Sequence, residues 1–178
     1  MPKGHGDVCA GLGVFLAKLL QLAEERGVQF NATGIEADPM AVEHLRSINL
    51  FDVQQELFQA QSGFNDVNLL TFNKVVEHIP DPVPVLQAAA QAISPANGIL
   101  YVEVPDVATI GNRAANDNIL GALHHHLYTP QGLIKLFERV GLISLSVARI
   151  VEPSGKLSVY GFAAHRALHD RLAQSPNG

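Results

Sequence analysis

Asp7-Val8-Cys9-Ala10-Gly11-Leu12-Gly13 sets an acidic residue and two closely spaced glycines directly ahead of a long apolar-periodic run. Glycine lacks a Cβ and tolerates positive φ, so Gly11 and Gly13 allow a sharp turn from a strand into a helix and let a ligand press against bare backbone. The helix that follows would aim its unpaired N–H groups and its positive dipole end at that ligand. Taken alone, the heptad is equally an ordinary tight turn, and the surrounding chain has to decide.

Working outward, only Gly6 to Ala10 is left before the turn to act as a first strand. After it, Leu16, Leu19, Leu20, Leu22 and Ala23 share one helical face, with Lys18, Gln21, Glu24 and Glu25 off it, and Gly27 ends the pattern. Val28 to Ile35 reads as a second strand running into Glu36. Asp38-Pro39 then supplies an N-cap and a first-position proline for a helix over Met40 to Asn49. A third strand is expected within Phe51 to Gln61 and a fourth over Val67 to Phe72. The cap-then-proline signature recurs at Ile79-Pro80-Asp81-Pro82, ahead of a stripe of Leu86, Ala89, Ala90 and Ile93. Ile99 to Val104 is a β-prone run of the kind covered on both faces.

Val107 to Leu123 shows little periodicity and is expected to be irregular. Thr129-Pro130 starts a helix lined by Leu133, Phe137 and Val140 and closed by Gly141. Leu142 to Val151 and Lys156 to Ala164 are joined by Glu152-Pro153-Ser154-Gly155, a hairpin, and His165 to Ser175 reads as a short terminal helix. Alternating strands and helices that finish in a hairpin predict an α/β fold whose mostly parallel sheet ends in an antiparallel pair. No repeat or linker divides residues 1–178, so a single domain is expected.

Composition narrows the function. With 178 residues, 47% hydrophobic and 16% charged, the chain closes a core without disulfides, and Cys9 is its only cysteine. A net charge of −5 offers no basic field for a phosphate backbone, so nucleic acid is not expected as a partner. No apolar run reaches the roughly 20 residues that span a bilayer, and Met1 to Gly6 lacks the layout of a signal peptide, so a cytoplasmic protein without a membrane partner is expected.

In an open parallel sheet, ligands bind outside the carboxyl ends of the strands, where the strand order reverses. Glu36 lies 23 residues past Gly13 at such an end, where a carboxylate accepts both hydroxyls of a ribose. A dinucleotide would call for a third glycine at position 16, which is Leu16, so a smaller nucleoside ligand fits better. His124, His125, His126 and Tyr128 precede a helix near the same edge, and His126 is the candidate general base. Consecutive histidines point in different directions and no other clustered ligands accompany them, so no metal is expected. Glu77-His78 reads as a capping and packing pair at a loop-to-helix junction.

From Asp7 to about Arg166 these segments together resemble the class I S-adenosylmethionine-dependent methyltransferases, small-molecule type. DVCAGLG is similar to that family's D-x-G-x-G-x-G motif and GIEADP to its second-strand acidic loop. FNKVVEHIPDPVPVL resembles its fourth-strand segment, SPANGILYVEVPD the next turn and strand, and HHLYTPQGLIKLFERVGL the helix before its last hairpin. The resemblance implies a Rossmann-like three-layer sandwich with a mostly parallel seven-stranded sheet and an antiparallel C-terminal hairpin. It implies S-adenosyl-L-methionine as cofactor and a small-molecule methyl acceptor. Asp7, Cys9, Gly11 and Gly13 would surround the amino acid end of the cofactor, Glu36 the ribose, Ala37 the adenine and Asn73 the methionine portion. Gln61 stands where an aspartate often reads the adenine amine, and Cys9 stands in place of the motif's first glycine. A short N-terminal cap is expected, and a homodimer would cover apolar surface left beside the site. The alternative is a degenerate methyltransferase-like binding or regulatory domain without catalytic activity, which binds the cofactor weakly or not at all.

Overall fold

The computed structural model describes residues 3–8, 10–113, 119, 123–153 and 155–174. Seven strands, β1 (Lys3–Val8), β2 (Phe30–Glu36), β3 (Asp52–Gln55), β4 (Leu69–Asn73), β5 (Ile99–Pro105), β6 (Ile143–Val151) and β7 (Leu157–Ala164), share one sheet. Its order is β3-β2-β1-β4-β5-β7-β6. The pairs from β3 through β5 are parallel, and β7 runs antiparallel to both β5 and β6. This is a Rossmann-like α/β fold.

Strands step one way from β1 to β3 and the other way from β4 to β5. Right-handed crossovers therefore put α1 (Val14–Glu25) and α2 (Pro39–Ile48) on one face and α3 (Pro82–Ala92) on the opposite one. Ring packing agrees: Phe15 of α1 stacks on Tyr101 of β5, whose neighbours Leu100 and Val102 point the other way into the core. That core joins Leu70, Phe72, Leu100, Val102 and Val104 of the sheet to Leu86 and Ala89 of α3 and to Leu133 and Phe137 of α4 (Pro130–Arg139). A last helix, α5 (Arg166–Ala173), contacts β6.

The helix starts follow the sequence signals. Asp38 accepts the Met40 N–H at 3.0 Å, and Thr129 accepts the Gly132 N–H at 3.1 Å. Asp81 holds the equivalent position before α3 without a side-chain cap bond. The first strand differs from expectation: β1 starts at Lys3 rather than Gly6, because pairing with β2 on one side and β4 on the other defines it, not an apolar pattern. In the irregular segment, Val107–Asn112 forms a 3-10 helix capped by Asp106. Among the described residues no helix is long and apolar enough to cross a membrane.

Candidate functional site

β1 lies between β2 and β4, which lead to opposite edges of the sheet, so the order reverses between β1 and β4 and opens a crevice at their carboxyl ends. The glycine turn closes one wall of it. Gly11 and Gly13 both take positive φ, 55° and 74°, and the Gly13 N–H donates to the Ala10 carbonyl at 2.8 Å. A Cβ on Gly13 would come within 2.7 Å of Leu45 Cδ2 and 3.0 Å of Phe51 Cζ, so the turn also lets α1 start hard against α2.

Glu36, at the end of β2, ties this turn to its own loop. Its Oε2 accepts the Gly11 N–H at 2.9 Å, and its Oε1 accepts the N–H groups of Ala37 at 2.8 Å and Asp38 at 3.0 Å. A carboxylate offers about four acceptor positions, so one remains on Oε2 for a ligand hydroxyl. The structure therefore brings Gly11, Glu36 and Ala37 together directly. Asp7 lies on β1 in register with Gly34 and Thr71, and Asn73 ends β4 opposite Glu103. Gln61 is exposed in a turn whose Ser62 hydroxyl accepts the Gln59 N–H at 2.9 Å. Cys9 lies outside the described residues.

The opposite wall rises from the end of β4. Lys74 pairs with Glu103 at 3.2 Å and Glu152 at 2.8 Å, and the Tyr101 hydroxyl donates to Glu103 at 2.6 Å. Lys74, Glu77, His78, Arg113, His124 and Glu152 line a cavity of about 210 Å³. Glu77 is buried, and among the described residues its Oε2 has no hydrogen-bond partner. Desolvation pushes its carboxyl above the ordinary range, against a smaller opposing effect of its own backbone N–H and of Lys74. Tyr128, also buried and with no hydroxyl partner among the described residues, is pushed up by desolvation and then by the charge of Glu77.

His126 turns elsewhere. Its Nε2 sits 3.0 Å from the Pro80 carbonyl, on a neighbouring groove with Pro82, Val83 and Lys135, and of the consecutive histidines it is His124 that lines the cavity, beside His78. Glu77, His78 and His124 offer donor atoms that all lie within 4.8 Å of one another. The sequence reading missed this group, because it treated Glu77-His78 and the three histidines as separate features. The available signal was that both segments lead to the same sheet edge. A larger cavity of about 1,110 Å³ runs along the β2 side of α1, from Leu12 to Val28 and Leu50, outside the crevice.

A model of the methyltransferase domain matches residues 7–147, which span the glycine turn, the crevice and most of the sheet. The chain belongs to the methyltransferase domain family. It is a class I S-adenosylmethionine-dependent methyltransferase, with S-adenosylmethionine as cofactor. A search by sequence among curated proteins returned no significant match. Among solved structures, this methyltransferase is similar to a SAM-dependent methyltransferase from Aquifex aeolicus, with TM-score 0.66 and 15% identity over 90% of this chain and 81% of that one. A Burkholderia thailandensis 1,6-didemethyltoxoflavin-N1-methyltransferase with bound S-adenosylhomocysteine gives TM-score 0.68 and 16% identity over 91% and 70% of the two chains. A pericyclic reaction enzyme gives TM-score 0.71 and 15% identity over 93% and 43%. Similarity at these identities is similarity of fold.

Proposed function

We propose that this methyltransferase moves a methyl group to an O, N or C atom of a small-molecule acceptor held in the crevice beyond the carboxyl ends of β1, β4 and β5. The observation that carries the reading is the Glu36 carboxylate bound to the Gly11 N–H where the strand order reverses. A positive-φ turn and a carboxylate with one open acceptor position suit the cofactor's amino acid end and ribose.

When bound, S-adenosylmethionine supplies an already activated methyl group. The chain's tasks are then alignment and exclusion of water. Asp7, the backbones at Cys9 and Gly11, and Gly13 would hold the amino acid end, and Asn73 the methionine portion. Glu36 would take the ribose, while Ala37 and Gln61 would lie along the adenine. On the acceptor side, the cavity carries Lys74, Glu77, Arg113 and His124, a polar set suited to an acceptor with its own oxygen or nitrogen groups. We assign the acceptor-side histidine to His124, since it faces this cavity while His126 reaches Pro80.

Calorimetry with S-adenosylmethionine and S-adenosylhomocysteine tests the reading. One site per chain is expected, with affinity reduced at least tenfold in Glu36→Gln. No heat and no thermal shift at about 1 mM of either ligand would overturn it, because ligand at 100 times its Kd stabilises the native state by about 2.7 kcal/mol. Binding without turnover across a panel of acceptors would favour the non-catalytic alternative.

A further inference from the structure

We propose that Glu77, His78 and His124 bind a divalent first-row transition cation of the zinc class. Their donor atoms already lie within 4.8 Å of one another, contributed by a 3-10 turn at Val76–His78 and by the segment entering α4. Glu77 Oε2 is buried with no hydrogen-bond partner among the described residues, an arrangement that leaves a strong acceptor unsatisfied unless something else reaches it. His124 is oriented as metal-bound imidazoles are: Nδ1 lies 2.9 Å from the Ile119 carbonyl, which places the proton there and presents Nε2.

The two imidazole rings pack edge to face, 4.7 Å apart at 61°. An ion held about 2.1 Å from each donor in tetrahedral geometry needs donors roughly 3.4 Å apart, so closure from 4.8 Å asks for a swing of up to about 1.4 Å. His78 is exposed and its bond to the Leu123 carbonyl is long at 3.4 Å, so its ring can supply that movement. Two imidazoles and one carboxylate favour zinc-class ions over magnesium or calcium. The nearby Lys74 ammonium is already engaged by Glu103 and Glu152, so the ion would not face a bare positive charge. Three protein ligands leave coordination open on the cavity side. Resting on the function proposed above, an oxygen of the acceptor would fill it.

Cobalt titration of EDTA-dialysed protein, followed by visible absorption, tests the site without any methyl transfer or cofactor. One equivalent of cobalt is expected, displaced by zinc. His78→Ala, His124→Ala and Glu77→Gln should each weaken uptake at least tenfold, while a His125→Ala/His126→Ala double variant should leave it within threefold. Exposed His78 can be removed without disturbing the core, so its variant, checked by circular dichroism, stands even if Glu77→Gln fails to fold. No stoichiometric uptake at about 1 mM cobalt, or uptake unchanged in both His78→Ala and His124→Ala, would overturn the proposal. Failure here would leave the S-adenosylmethionine titration untouched.

Discussion

On the β1–β2 side of the crevice the polar groups are main-chain N–H groups drawn together by the single carboxylate of Glu36, whereas on the β4–β5 side they are side chains, and Glu77 is buried with an oxygen that no described residue hydrogen-bonds. The first wall is satisfied as it stands, and a ligand there adds to an existing network. The second holds unsatisfied polar atoms, Glu77 Oε2 and the Tyr128 hydroxyl, which cost stability until a partner is supplied. One wall is thus preformed and the other is poised.

The sharpest way to break the first wall is Gly13→Ala. Positive φ and a Cβ within 2.7 Å of Leu45 together should destabilise the fold by about 2–4 kcal/mol and abolish measurable cofactor binding. Urea denaturation and calorimetry would show it, and a loss under about 1 kcal/mol would mean the turn is looser than described.

Glu36→Ala comes next. Three N–H groups lose their acceptor, so a cost of about 1–3 kcal/mol is expected in addition to weaker cofactor binding. The carboxylate is a structural strut as well as the proposed ribose acceptor. If melting is unchanged while binding falls, only the ligand role survives.

For the second wall, Glu77→Gln should show little penalty and an altered pH profile. Burial raises the folded pKa above 4.5, so the protonated carboxyl's contribution is fully present below that value and is lost as pH rises through the raised one. With EDTA present, the variant should match wild type near pH 4 and gain on it as pH rises, read by urea unfolding across that range. Parallel curves would show that Glu77 is paired after all. His126→Ala should have the smallest effect, about 0.5–1 kcal/mol from the bond to Pro80, with cobalt uptake unaltered.

The first wall was legible because its signals are local. Gly11, Gly13 and the Asp38-Pro39 cap each act through their own backbone, so residue type and order suffice to place them. The exact use of Glu36 was not: its bonds to Gly11, Ala37 and Asp38 involve a partner 25 residues away as well as neighbours. On the second wall the adjacent pair Glu77-His78 reads as capping and packing, and the three consecutive histidines offer His126 as a general base. Neither segment alone carries the cluster.

By itself the sequence determined an alternating α/β fold, the turn that opens α1, the helix starts at Asp38 and Thr129, and the closing hairpin, since periodicity, caps and turns are written in neighbouring residues. Only the tertiary structure decided which histidine meets Glu77. Residues 77 and 124 are brought to one cavity by sheet order and by the backbone bonds from His125 and His126 to the Glu77 carbonyl, at 2.8 and 3.3 Å. A two-residue difference along that segment, from His124 to His126, separates a side chain facing the cavity from one facing Pro80, and that direction is fixed by long-range packing rather than by residue type.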